Sequence, residues 1–311
     1  MKRPNVIVIM LDGARADRMC NFKTLKNLSS RGILFSNMIT YAPSTIASMY
    51  AIFSGTYGSE SGVNNYWSSK DFRSDKYKTI TEYLKNVGYY TRGDFINELA
   101  APNQGFDELT IHNEYTDDLT QLHTNMVREM KNIYGGGKNF FLFLHYSYIH
   151  ARTTKDVMDK YDGEYDERYY MNMKGNSEKF DEYTQEADEY LGNIIKAIKR
   201  QELFDDSIIL ILSDHGTGIG EKFGERRYGV YCYDYSIKTF LIALKKGIFP
   251  TKKIKNVVRT IDIMPTILEV LGIGKDPNLP GIRGISLMPL VRGEEKCKRM
   301  AFSETATFDE P

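Results

Sequence analysis

Two apolar runs, each ending on a carboxylate, constrain this chain more than any other feature. Val6 to Leu11 runs straight into Asp12 and Gly13, and Ser207 to Ser213 runs into Asp214, His215 and Gly216. Unbroken Val/Ile/Leu runs of this kind are what parallel strands buried on both faces look like. In open α/β sheets the carboxyl ends of such strands are where ligands and ions bind. An Asp after a strand also serves as a helix N-cap or turn residue, so neither carboxylate decides the matter alone. His215 shifts the balance: an adjacent Asp-His pair is a poor cap, but it offers an oxygen and a nitrogen ligand to one cation. Asp12, Asp214 and His215 therefore read as parts of one metal site.

A third element supports that reading. Pro43 and Ser44 approach a helix from Thr45 to Ser54 that closes at Gly55, a residue free to take the left-handed conformation that ends helices. Thr45 falls at the helix N-terminus, where free backbone N–H groups and the helix dipole favour an anion and a nearby metal could ionise a hydroxyl. Taken alone, Ser44 or Thr45 would serve as an N-cap and nothing more.

The rest of the chain alternates strands and helices. Helices are predicted over 22–31, 80–86, 119–133, 177–201 and 261–271, and strands over 33–38, 89–93, 140–145, 208–212 and 238–244. Such alternation predicts a mostly parallel sheet covered on both faces, within one domain over 1–311. Residues 151–175 hold Tyr161, Tyr165, Tyr169 and Tyr170 among many charges with no clear period. They read either as a lid or wall over a pocket, or as a surface excursion.

Lys+Arg and Asp+Glu both number 41, so the formal net charge is zero, which argues against nucleic acid as a partner. No apolar stretch approaches the roughly 20 residues that cross a membrane, and the N-terminus leads directly into a core strand. With Cys20, Cys232 and Cys297 widely spaced, reduced thiols and a cytoplasmic location are expected. Oligomeric state is not legible.

The motif order resembles the sulfatase family of the alkaline phosphatase superfamily. The segments that carry it are Asn5–Asp17, the Thr45–Gly55 helix with Tyr57, Ser61 and Gly62, Ser213–Gly216, and Thr260–Leu268. The resemblance implies a three-layer α/β/α sandwich. It also places Thr45 where sulfatases carry the Cys or Ser that becomes formylglycine, ten residues before the helix-ending Gly. Formylglycine formation needs Cys/Ser-x-Pro-x-Arg, whereas Thr45, Ala47 and Met49 stand here. The chain thus looks more like Thr-nucleophile branches that act on phosphorus esters. Sulfatases also usually have paired Asp after the first strand and Asn after the late Asp, where this chain has a single Asp12 and the pair Asp214-His215.

The resemblance implies one divalent ion on Asp12, Asp214, His215 and the Thr45 hydroxyl, with an alkoxide attacking phosphorus in line. Three oxygen ligands and one imidazole suit Mn²⁺ or Zn²⁺ better than Mg²⁺ or Ca²⁺. A second metal of the usual type needs a His after the Asp-His pair, and none follows His215. His150 resembles the His of the sulfatase Asp-Pro-His segment that contacts the ester anion. His145, inside an apolar run, reads as a hydrogen-bonded core residue. Lys222, Arg226 and Arg227 form a basic loop after the metal pair that could bind phosphate bidentately or simply be solvated.

Family members commonly continue past residues 302–305 into a small C-terminal sheet, so a short member or a truncated chain is expected. The functional reading is a metal-dependent hydrolase or transferase of phosphate mono- or diesters, borne on a small molecule, glycan or lipid. The alternatives are a sulfuric ester hydrolase without formylglycine and a non-catalytic metal-binding member.

Overall fold

The computed structural model describes residues 3–305 other than 66, 164 and 297. Nine strands among the described residues form one sheet: β1 (Asn5–Leu11), β2 (Ile33–Ile39), β3 (Tyr90–Phe95), β4 (Glu108–Ile111), β5 (Phe140–Tyr146), β6 (Ser207–Leu212), β7 (Lys238–Leu244), β8 (Lys252–Ile254) and β9 (Val258–Arg259). The order is β4-β3-β5-β1-β6-β7-β2-β8, with β9 also paired to β2. Every pairing is parallel except the two made by β7, which runs antiparallel to β6 and β2. The mostly parallel sheet read from the apolar runs is thus the observed one.

The helices are α1 (Lys23–Ser29), α2 (Thr45–Ser54), α3 (Gly58–Ser61), α4 (Ile80–Asn86), α5 (Leu119–Gly135), α6 (Tyr148–Lys160), α7 (Glu167–Met171), α8 (Met173–Arg200), α9 (Asp234–Ile237), α10 (Ile263–Leu271) and α11 (Met288–Arg292). Alternate residues of the central strands supply two cores, because successive side chains point to opposite faces. Val6, Val8, Met10, Phe141, Phe143, Leu210 and Leu212 pack with Met49, Ile52 and Phe53 of α2 and with α4 and α10. Ile7, Ile9, Leu11, Leu142, Leu144, Ile209 and Ile211 pack with α1, α5 and α8. The result is a three-layer α/β/α sandwich. No helix among the described residues is long and apolar enough to cross a membrane.

Residues 151–175, which show no clear period in the sequence, are largely helical, as the rest of α6, all of α7 and the start of α8. The buried stripe of α6 is Ile149, Ala151, Thr153, Thr154 and Val157, so three of its five members are small or hydroxylated and the apolar signal is weak. Strand β4 was not legible for a related reason: it is a four-residue edge strand whose side chains are mostly exposed. Cys232 is a free, partly exposed thiol; the side chain of Cys20 and all of Cys297 lie outside what the structure describes.

Candidate metal and catalytic centre

The sheet order puts β1 between β5 and β6, with Met10 level with His145 on one side and Leu212 on the other. Asp12 and Asp214 leave the carboxyl ends of adjacent parallel strands, as the opening motifs require. Two close approaches hold those ends, one between the loops after β1 and β6 and one between the β6 loop and α9. Gly13 sits at φ +72, and a Cβ on it would lie 2.6 Å from Thr217 Oγ1, which donates to the Gly13 carbonyl at 3.0 Å. Gly216 donates its N–H to the Ser236 carbonyl at 2.7 Å, and a Cβ there would meet the Tyr235 carbonyl oxygen at 1.9 Å. Only glycine fits either position.

Thr45 enters from α2 on the neighbouring face. Ser44 is the N-cap residue but makes no side-chain cap bond, and Gly55 ends the helix at φ 65. Thr45 is the first helical residue, and its hydroxyl points into the site, 3.1 Å from His215 Nε2 and 3.4 Å from Asp12 Oδ2. A bare capping role for this segment is therefore not what the geometry displays.

Asp12, Asp214 and His215 are wholly buried. His215 Nδ1 donates to the Gly216 carbonyl at 2.8 Å, which fixes the tautomer and leaves the Nε2 lone pair facing the carboxylates. That nitrogen lies 3.5 Å from both Asp12 Oδ1 and Asp214 Oδ2. Both of those oxygens are buried without a hydrogen-bond partner, a costly arrangement for two carboxylates unless a cation joins them. Ligand bonds of about 2.1 Å in a tetrahedral shell put neighbouring ligand atoms about 3.4 Å apart, close to the spacings here. The donor set Asp12, Asp214, His215 and Thr45 fits one divalent ion, and its imidazole bonded to a backbone carbonyl matches the usual outer support of a metal-ligating His.

Two further imidazoles reach Asp12. His145 Nε2 donates to Asp12 Oδ2 at 2.8 Å, and His150 Nδ1 lies 3.7 Å from Asp12 Oδ1. His145 is the buried, hydrogen-bonded residue expected from its apolar run, but its partner is a site carboxylate. A His near the carboxyl end of a strand was the available signal; which strand lies beside Asp12 was not. Burial alone would push the Asp12 carboxyl up, but the imidazoles of His150 and His145 outweigh it and hold it well below the usual carboxylate range. For Asp214, burial and then the charge of Asp12 push the carboxyl up. His150 is raised, because Asp12 and then Glu114 overcome the opposing effect of burial.

The basic loop divides. Arg227 stays at the site rim, with its guanidinium over the Tyr228 ring at 5.7 Å and its Nη1 donating to Thr154 Oγ1 at 2.7 Å. Arg226 turns to the Tyr161 carbonyl at 3.5 Å, and the Lys222 ammonium sits over Tyr233 at 5.7 Å. The structure therefore brings Thr45, Asp12, Asp214, His215 and His150 together, with Arg227 beside them and Arg226 and Lys222 directed elsewhere. Tyr228 is a site residue that the sequence did not single out. Its hydroxyl is 3.0 Å from His150 Nδ1 and its ring lies 4.5 Å from that of His215.

Known proteins share this arrangement of elements. Arylsulfatase K of Mus musculus is 33% identical over 111 residues, 36% of this chain and 20% of that protein. The choline-sulfatase of Rhizobium meliloti is 30% identical over 109 residues, 35% of this chain and 21% of that protein. The matches thus take in about a fifth of either relative. Among solved structures, a 2-O GAG sulfatase superposes with a TM-score of 0.76 at 17% identity, covering 96% of this chain and 76% of its own. The lipoteichoic acid synthase LtaP of Listeria monocytogenes gives 0.70 at 18%, covering 92% and 75%. Both likenesses are of fold. The model described as Sulfatase matches residues 4–273, a span that includes both strand-end carboxylates, the Thr45 helix and the His215 loop, so the chain belongs to the sulfatase family.

Proposed function

We propose that this chain is a metal-dependent ester hydrolase or phosphotransferase that uses Thr45 as its nucleophile, with phosphate mono- or diesters as the preferred class. The observation that carries the proposal is the Thr45 hydroxyl, which is turned from the helix end toward Asp12 and His215. Asp12, Asp214, His215 and Thr45 would hold one divalent ion, Mn²⁺ or Zn²⁺ in preference to Mg²⁺ or Ca²⁺, and that ion would supply Lewis acidity and a lowered hydroxyl pKa.

The remaining roles fall to the chain itself. Thr45 oxygen forms a bond to phosphorus as the bond from phosphorus to the ester oxygen breaks, and the alcohol leaves with a proton. Water, or an acceptor alcohol in a transferase, then takes the phosphoryl group and restores the Thr45 hydroxyl. The N-terminus of α2 favours the anionic ester next to the hydroxyl. His150, Tyr228 and Arg227 supply hydrogen-bond donors on the open side, and Arg suits an oxyanion.

A second reading, sulfate ester hydrolysis by the same hydroxyl, is favoured by the relatives, which are named arylsulfatase and choline-sulfatase. The residues at 45, 47 and 49 weigh against the formylglycine route to it. The deciding experiment measures kcat/KM for 4-nitrophenyl phosphate, bis(4-nitrophenyl) phosphate and 4-nitrophenyl sulfate with Mn²⁺, Zn²⁺, Mg²⁺ and Ca²⁺ in turn. Faster turnover of either phosphate supports the first reading. A better sulfate substrate selects the second, and no turnover of any ester by metal-loaded protein leaves a binding role.

A further inference from the structure

Behind the site lies a second buried group of titratable residues, Asp94 on β3, His112 just after β4 and His123 on α5. Its residue types match those of the metal centre, but its spacing does not. His112 Nδ1 and His123 Nε2 both lie against one oxygen, Asp94 Oδ2, at 2.6 and 2.7 Å. Those are hydrogen-bond lengths, too short for two ligands of a common ion.

The outer nitrogens continue the chain. His112 Nε2 is 2.8 Å from Ser147 Oγ, and His123 Nδ1 is 2.6 Å from the Tyr190 hydroxyl on α8. One set of proton positions satisfies every link. Ser147 and Tyr190 donate to the imidazoles, and both imidazoles donate to an ionised Asp94. The group thereby ties β3, the β4–α5 connection, α5, α8 and the end of β5 to one carboxylate.

Ser147 is where this group meets the catalytic centre. It lies between His145 and His150, both of which approach Asp12. It is also the N-cap residue of α6, yet it makes no side-chain cap bond. Serine is among the best N-caps, and here its hydroxyl is diverted to His112. The His112 ring stands edge-on to that of His145 with centroids 5.9 Å apart. We propose that Asp94, His112 and Ser147, braced by His123 and Tyr190, are positioning residues that hold the β5–α6 junction and so aim His145 and His150 at Asp12. The inference rests on the proposed role of that site.

The test uses full-length Ser147→Ala, Ser147→Thr and His112→Phe proteins, with Thr45→Ala as reference. Ser147→Ala removes no cap bond, so its thermal midpoint should stay within a few degrees. Its kcat on the best 4-nitrophenyl ester should fall about tenfold or more with KM within about twofold, and Ser147→Thr should recover most of the loss. A second readout needs no substrate. The imidazole ¹H–¹⁵N spectrum should contain a far-downfield signal for the His145 N–H donated to Asp12, which shifts or broadens in Ser147→Ala and His112→Phe and returns in Ser147→Thr. An unchanged kcat and an unchanged His145 signal in folded Ser147→Ala and His112→Phe would overturn the proposal. If Thr45→Ala is fully active, the reading of Thr45 fails, and the His145 signal still decides the positioning role.

Discussion

Replacing Thr45 by Ala should separate stability from catalysis. The hydroxyl makes one hydrogen bond of ordinary length, 3.1 Å to His215, and a long contact of 3.4 Å to Asp12. A bond of that kind contributes about 1 kcal/mol, and the buried methyl about another 0.8. Because Thr45 is helical, alanine returns roughly 0.5 kcal/mol in helix propensity. The net cost is on the order of 1–2 kcal/mol, which for a domain of this size corresponds to a fall in Tm of no more than about 6 °C. If Thr45 is the nucleophile, activity should nevertheless drop about 10³-fold or more, since the attacking oxygen is removed. Thr45→Ser keeps a hydroxyl and should retain part of the rate. Ser44→Ala serves as the control, because the N-cap residue makes no side-chain cap bond, and it should stay within about twofold in kcat. Mass spectrometry after brief incubation with a bis(4-nitrophenyl) ester should place an added phosphoryl-type mass on the peptide containing Thr45. A Thr45→Ala protein with near-normal rates, and an active wild type that never carries that mass, would show the hydroxyl to be a bystander at a helix end.

Three other outcomes are expected. Elemental analysis of protein purified without chelator should find one divalent ion per chain, since the two imidazoles already sit on Asp94 Oδ2 at hydrogen-bond rather than ligand spacing, and Asp214→Asn should hold none; two ions per chain would contradict the spacing argument. Adding that ion at a hundred times its Kd should raise the unfolding free energy by about 2.7 kcal/mol, read as a shift in the denaturant midpoint that Asp12→Asn and Asp214→Asn lack. Gly216→Ala should be strongly destabilising, by about 2–3 kcal/mol or more at an unchanged denaturant slope, because the new Cβ meets the Tyr235 carbonyl oxygen rather than a flexible side chain; a neutral result would mean that the clasp around Asp214 can open freely.

The parts of the centre legible in the sequence are those that sit at the ends of strongly marked elements. Asp12, Asp214 and His215 follow uninterrupted apolar runs, and Thr45 opens a helix whose far end is signalled by Gly55. Residues contributed by strand neighbours were harder to read. His145 lies within a run where every residue is buried, so periodicity carries no information about which side chain meets Asp12; the level pairing of Met10 with His145 supplies it. Asp94, His112 and His123 come from three separate elements, and only the order β4-β3-β5-β1 brings them behind the centre. The α6 and α7 helices escaped notice because threonine and alanine do much of the burying in α6, and hydroxyl-bearing residues weaken an apolar stripe without preventing it.

The two buried groups of acid and imidazole show why residue type is a poorer guide to chemistry than spacing. Around Asp94 each nitrogen closes on the same carboxylate oxygen at hydrogen-bond length, so Oδ2 is held by two N–H donors with no space for an ion between them, and Oδ1 alone is left without a partner. Around Asp12 the gaps are wider, 3.5 Å from His215 to each of Asp12 and Asp214 and 3.4 Å from Thr45 to Asp12, and one oxygen of each carboxylate is left without a partner. That openness is unstable in isolation, because a buried carboxylate without a counter-charge costs several kcal/mol. It persists because the Gly13 and Gly216 clasps fix the strand ends, α2 fixes Thr45 and the β5–α6 junction fixes His145 and His150. A displacement of about 1 Å in any of these supports should therefore cost on the order of a hundredfold in rate while every ligand residue remains in place.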